Sequence, residues 1–271
     1  MSWKFTSLYL DAPLVNGRAL DLFEPELPQH DIAVFFVHGG GWNAGTRVHF
    51  HPLMQEFSRL GYYSASADYR LANGKITIAD QLTDLHHAYD EFVSFLKQRQ
   101  RPVKIVVHGS SAGAHLAALL ALARPGECGE AAEFHGVRAA NEWIAPVGAV
   151  LACGPATFEP WEDIFPPIWS SMQLAAGCSF ENDPEHYRRL SPCHYAVQAP
   201  CPVLFAAAGN EHMFPSDQIE ALAATIAKHQ PLTRFRLYPN CEHGFFYDIT
   251  RNCQQAMMRD FIAFLNDIAN E

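Results

Sequence analysis

The chain has 271 residues, 49% hydrophobic and 18% charged, a balance that builds a packed core and excludes an intrinsically disordered chain. Its 19 Lys and Arg against 29 Asp and Glu leave a formal charge of −10. That charge speaks against nucleic acid and anionic membranes as partners, because both call for clustered basic side chains.

Seven scattered cysteines with no C-x-x-C pair imply reduced thiols, with neither a disulfide framework nor a zinc ribbon. The opening Met-Ser-Trp-Lys-Phe-Thr lacks the charged start and apolar core of a secretory signal. Runs such as Ile32–Val37 are far too short to span a bilayer, so a soluble cytoplasmic protein is expected.

Short apolar runs alternate with longer amphipathic ones, the pattern of a mostly parallel sheet covered by helices in a single α/β domain over 1–271. Ile32–Val37 is the first expected strand and ends at His38-Gly39-Gly40-Gly41-Trp42. A helical stretch through Met54–Leu60 leads to a second strand, Ser64–Tyr69. Thr83–Gln98 carries apolar residues at 85, 88, 89, 92, 93, 95 and 96, a helical stripe. Val103–His108 is a third strand, and Gly109-Ser110-Ser111-Ala112-Gly113 turns it into the helix Ala114–Ala123, apolar all round and therefore buried. Further strands are expected at Val147–Ala152, Val203–Ala208 and Phe235–Tyr238, with helices at Ser216–His229 and Ala256–Ala269. Two stretches, 124–146 and 155–192, break the alternation. The second is rich in Pro and aromatic residues and is expected to be an irregular insertion that forms a lid.

The chemistry concentrates at the ends of strands. A serine hydroxyl is a poor nucleophile unless a base adjoins it and the backbone holds it exposed. G-x-S-x-G between a strand and a helix supplies that position, which makes Ser111 the candidate nucleophile. Ester or amide hydrolysis places negative charge on the former carbonyl oxygen. Backbone N–H groups of Gly40, Gly41 and Ala112 are the candidate donors for it. His243 follows a late strand and lies where an imidazole reaches the serine across the carboxyl edge of the sheet. Glu211, just past Val203–Gly209, is the candidate acid that orients it. Asp217 is its rival, although a place in the first turn of a helix already accounts for an acid there. Trp42, Trp161 and Trp169 are candidate walls of an apolar substrate pocket, with core packing as the equal alternative. His115 is expected to pack beneath the serine turn, and Asp68-Tyr69-Arg70 to hold an internal ion pair. The pairs His49/His51 and His86/His87 lack the H-E-x-x-H or Cys partners of a zinc site, so neither metal nor cofactor is expected.

Through His38–Trp42, Asp68-Tyr69-Arg70-Leu71, Gly109–Gly113 and the Cys241–Phe245 loop, the sequence resembles α/β-hydrolase esterases of the hormone-sensitive-lipase and feruloyl/acetyl-esterase type, over about residues 30–265. Ser111–Ala118 also looks like arylformamidases, in which an aromatic residue often replaces one oxyanion glycine; the retained Gly41 leans toward the esterases. The resemblance implies Ser111 as nucleophile, His243 as general base and acid, and Gly40, Gly41 and Ala112 as oxyanion donors. The acid departs from the pattern: His212 stands where these families usually carry aspartate, and Glu211 is the nearest carboxylate. The expected activity is hydrolysis of short-chain or aryl carboxylic esters. The alternatives are hydrolysis of aryl formamides by the same residues and a catalytically silent binding protein on the same scaffold.

Overall fold

The computed structural model describes residues 3–10, 18–130 and 143–271. Its framework is one eight-stranded sheet: β1 (Trp3–Tyr9), β2 (Ala19–Pro25), β3 (Ile32–Val37), β4 (Ser64–Ala67), β5 (Lys104–Ser110), β6 (Gly148–Ala152), β7 (Val203–Asn210) and β8 (Arg234–Glu242). In space the order is β1-β2-β4-β3-β5-β6-β7-β8. The pairs β1/β2 and β2/β4 are antiparallel, and every other pair is parallel. The helices are α1 (His51–Arg59), α2 (Ile78–Gln98), α3 (Ala112–Leu122), α4 (Pro166–Ala176), α5 (Pro184–Arg189), α6 (Ser216–Ile226) and α7 (Asn252–Ala269). This is the α/β-hydrolase fold.

Strand periodicity explains why the sheet has two cores. In β3, Ala33, Phe35 and Val37 face one cluster with α2, α3 and α6, while Ile32, Val34 and Phe36 face a second cluster with α1 and α7. Buried on both faces, the strand is apolar throughout. Every residue of α3 is buried, as its unbroken apolar composition requires: it lies between the sheet, α2 and the 3-10 turn Pro192–Gln198.

Two features differ from the sequence pattern. β1 and β2 form an antiparallel edge ahead of the first expected strand. In β1 no residue is fully buried and the faces do not alternate cleanly, because β1 is the outermost strand of the sheet, while β2 inside it is buried almost throughout. The stretch 155–192 is less irregular than its composition suggests, since it holds α4 and α5. Both begin at proline, whose fixed φ suits the first helical turn, so prolines read as loop-formers are helix starts. Residues 131–142 of the expected 124–146 insertion lie outside the described residues. Among the described residues no helix is long and apolar enough to cross a membrane. All seven cysteines are free thiols.

Two histidines are locked neutral in these cores. His108 lies among Phe36, Phe50, Phe246 and Phe261 and donates Nδ1–H to the Val150 carbonyl at 2.8 Å. His115 donates Nε2–H to the Leu190 carbonyl at 2.7 Å and accepts the Trp42 indole N–H on Nδ1 at 3.2 Å. Burial outweighs these carbonyl bonds and pushes the ring pKa of His108 down to about 3 and that of His115 to about 4. The unfolded chain, titrating near 6.5, therefore binds more protons than the folded chain between those values. Stability is complete above pH 6.5 and falls as the pH drops toward the folded values, at up to about 1.4 kcal/mol per pH unit for each ring. Urea unfolding between pH 7 and 5 checks this: a midpoint that does not move across the interval contradicts it.

Candidate active site

The chain reverses from β5 into α3 at Ser111, whose backbone sits at φ 57°, ψ −127°. This region is costly for a residue with a Cβ, by about 1–3 kcal/mol, and survives only where the surroundings enforce it. Here the Ser111 amide donates to the Ala152 carbonyl at 2.8 Å, and the Ser111 carbonyl accepts from Ala114 and His115. The flanking glycines are required by contact. A Cβ on Gly109 would lie 2.1 Å from the Gly113 carbonyl oxygen, and one on Gly113 would lie 2.1 Å from that of Val37. Any larger side chain would push α3 away from β3 and β5 and take the serine with it. The side chain of Ser111 stays partly exposed.

A line of hydrogen bonds leaves the hydroxyl. Ser111 Oγ is 2.8 Å from His243 Nε2, and His243 Nδ1 is 2.7 Å from Glu211 Oε2. Glu211 leaves the end of β7, and His243 directly follows β8, so neighbouring parallel strands deliver both groups to the same edge of the sheet. The other carboxylate oxygen of Glu211 accepts the amides of His212 and Met213 at 3.0 and 2.8 Å. Burial by itself would raise the Glu211 pKa. The His243 bond and the two amides outweigh it and hold the carboxyl below the ordinary range. Asp217 is exposed in the first turn of α6, where the helix dipole suits it, and the Nδ1 it would need is already taken by Glu211.

The glycine run after β3 bends over the same edge. The Gly39 amide donates to the Tyr247 hydroxyl at 3.1 Å. The amides of Gly40 and Gly41 find no acceptor among the described residues, and the Ala112 amide, opening α3, has none within its helix. Gly40 lies at φ 124°, with the Ala44 carbonyl 2.3 Å from where a Cβ would project, so only glycine fits. The loop is braced from beneath. The Tyr69 hydroxyl donates to the His38 carbonyl at 2.7 Å, and the Gln81 amide donates to the Trp42 carbonyl at 2.7 Å. Asp68 accepts from Thr46 and from the Arg47 amide and guanidinium, and Arg70 pairs with Asp84 at 2.8 Å. The Asp68-Tyr69-Arg70 strand end is thus the clamp of this loop.

The tryptophans divide. Trp42 is fully buried, its ring 5.3 Å from Phe158 and its N–H spent on His115. This corrects its place as a pocket wall: it is a core residue beneath the glycine loop. Trp161 is partly exposed, 6.2 Å ring to ring from Phe214, which is itself 5.7 Å from the His243 imidazole. Trp169 packs against Tyr187 at 5.7 Å on α4, the helix that passes above Gly41. Ser171 Oγ would lie 3.9 Å from a Cβ at Gly41. Two neighbours carried no signal in the sequence motifs. Tyr247 follows His243 by four residues yet serves the glycine loop. Cys153 stands just past β6, and its thiol meets Glu211. Neither belongs to a motif, because both reach the site through the tertiary fold.

The BD-FAE family profile matches residues 20–226. Esterase LipQ of Mycobacterium tuberculosis (strain ATCC 25618 / H37Rv) is 25% identical over 241 residues, covering 84% of this chain and 53% of LipQ, so the chain spans about half the length of that relative. Among solved structures, esterase B from Lactobacillus Rhamnosis (HN001) superposes with a TM-score of 0.77 at 18% identity, over 99% of this chain and 86% of the other. Propionate-bound esterase 2 from Thermogutta terrifontis gives 0.71 at 23% identity, over 98% and 94%.

Proposed function

The chain belongs to the BD-FAE family, and from that premise we propose that it is a serine carboxylesterase acting on short-chain or aryl esters. The observation that carries the reading is the unbroken hydrogen-bonded line from Ser111 Oγ through His243 to Glu211, set at a strained strand-to-helix turn.

In this reading Ser111 Oγ attacks the ester carbonyl as its proton passes to His243 Nε2. Glu211, an acceptor on Nδ1, keeps the lone pair on Nε2 and stabilises the imidazolium that forms. The carbonyl oxygen becomes an oxyanion and takes the amides of Gly40, Gly41 and Ala112, each worth roughly 2.7–4 kcal/mol in the transition state. His243 then protonates the departing alcohol, leaving an acyl-serine. Water, deprotonated by the same imidazole, releases the acid and restores the hydroxyl.

The passage of α4 over Gly41 and the ring row Trp161–Phe214–His243 favour a compact acyl group, with 155–192 as the lid. The relatives lean the same way: Thermogutta esterase 2 was solved with propionate, and Lactobacillus esterase B with a C4-C4 SN3 tributyrin phosphonate. Seven free thiols suit a reducing, cytoplasmic setting.

A panel of acetyl, butyryl, octanoyl and feruloyl esters beside N-formylkynurenine tests the proposal. We expect kcat/KM to peak at acetyl or butyryl and fall at octanoyl. A formamide preferred by orders of magnitude would replace the esterase reading with an amidase.

A further inference from the structure

Cys153 plays no part in the hydrolysis just described, yet its thiol joins two groups that do, Glu211 and His243, in one cluster of ligating atoms. Cys153 Sγ, a Glu211 carboxylate oxygen and a His243 ring nitrogen all lie within 4.8 Å of one another. Ligands of a tetrahedral zinc stand roughly 3.3–3.8 Å apart when bonds are about 2.0–2.3 Å, so Cys153 Sγ would close in by up to about 1 Å while the Glu211–His243 pair, now 2.7 Å apart, opens by about half an ångström. We propose that Cys153, Glu211 and His243 form a binding site for a thiophilic divalent cation such as Zn2+, and that its occupancy switches the hydrolysis off. The inhibitory half rests on the esterase reading; the binding half does not.

The donor set matches such an ion in charge and type. A thiolate and a carboxylate cancel two positive charges, and a neutral imidazole completes three ligands of the kinds zinc prefers. Cys153 is held for this geometry, with φ at 52° and its amide fixed on the Ala206 carbonyl at 2.8 Å. Its thiol is no nucleophile in its own right: burial, then the Glu211 charge, push it up to about 12. A bound metal deprotonates a coordinating thiol outright. A cavity of about 360 Å³ bordered by Ala208, Gly209, Glu211 and His212 adjoins the cluster at Glu211.

Inhibition follows from proton accounting. Binding releases the Cys153 thiol proton to solvent, and Glu211 is already ionised. The metal takes the Nδ1 lone pair of His243, so the single proton of the neutral ring moves from Nδ1 to Nε2. An Nε2 that carries a proton no longer accepts one from Ser111.

The test uses Zn2+ for activity and Cd2+ for binding. Zn2+ should inhibit ester hydrolysis, and EDTA should restore it. Changing even an outer partner of a metal ligand costs roughly 10–100-fold in affinity, so Cys153→Ala should raise the inhibitory Zn2+ concentration by at least about 100-fold. In Ser111→Ala protein, which needs no turnover, Cd2+ should give a thiolate charge-transfer band that Cys153→Ala removes and Cys241→Ala leaves. Cys153→Ser provides a second variant of nearly native size. Histidine nitrogen NMR reads the unmodified chain, where Zn2+ should shift His243 Nδ1. Zn2+ sensitivity within about threefold of the parent in Cys153→Ala or Cys153→Ser, a Cd2+ band that survives loss of Cys153, or an unmoved His243 signal would overturn the site. A Cys153-dependent Cd2+ band together with a parent protein, Ser111 intact, that hydrolyses no ester would keep the site and discard the esterase reading instead.

Discussion

Replacing Ser111 with alanine should lower kcat/KM for p-nitrophenyl acetate by about five to six orders of magnitude. Losses of that size follow removal of the nucleophile in a serine hydrolase, because the remaining donors only bind and polarise the carbonyl. The Gly40, Gly41 and Ala112 amides stay in place, so KM should change far less than kcat. Labelling by a fluorophosphonate probe should vanish with the hydroxyl. A companion variant separates chemistry from strain. At φ 57° and ψ −127° a Cβ is unfavourable, so Ser111→Gly should be equally inactive yet more stable than Ser111→Ala by about 1 kcal/mol. Both are read from ester turnover and urea midpoints on the same preparations. A Ser111→Ala protein within tenfold of the parent would remove the nucleophile from the mechanism.

Glu211→Gln is the second large effect, expected to lower kcat by about four orders of magnitude while Asp217→Asn stays within about twofold. The geometry explains why so small a change costs so much. Glu211 Oε1 accepts two backbone amides, and Oε2 faces His243 Nδ1. A glutamine keeps its oxygen on the amides and turns its NH2 toward Nδ1. That nitrogen must then accept, which sends the ring proton to Nε2, where it blocks transfer from Ser111. Asp217 has no such contact and lies exposed on α6. Kinetics of the two purified variants settle the choice, and equal mild losses from both would refute it.

Much of the site was legible along the chain, because each motif marks a local necessity. The Gly109–Gly113 turn needs residues without bulk where α3 meets β3 and β5. His38–Trp42 follows a strand whose unbroken apolar run announces it, and His243 follows the mixed stretch Phe235–Tyr238. For the acid, the sequence offered Glu211 at a strand exit against Asp217 with a helix start to serve, and the fold sets Glu211 Oε2 2.7 Å from His243 Nδ1. The tryptophans were not legible: an indole looks the same in sequence whether it lines a cavity or, like Trp42, sits fully buried on Phe158 and His115. The prolines of 155–192 misled for a related reason, since proline both ends and begins helices.

The sequence by itself therefore determined the parallel sheet, the serine turn, the glycine loop and the candidate groups at the strand ends, because hydrophobic period and small-residue spacing act over a few residues. Only the tertiary structure decided which groups meet. Ser111 and His243 are separated by 132 positions, yet they approach to 2.8 Å because β5, β6, β7 and β8 lie side by side and release their carboxyl ends on one edge. The same edge brings Cys153 against Glu211 and Tyr247 under Gly39. Those contacts come from the order of strands in space, and no local pattern encodes that order.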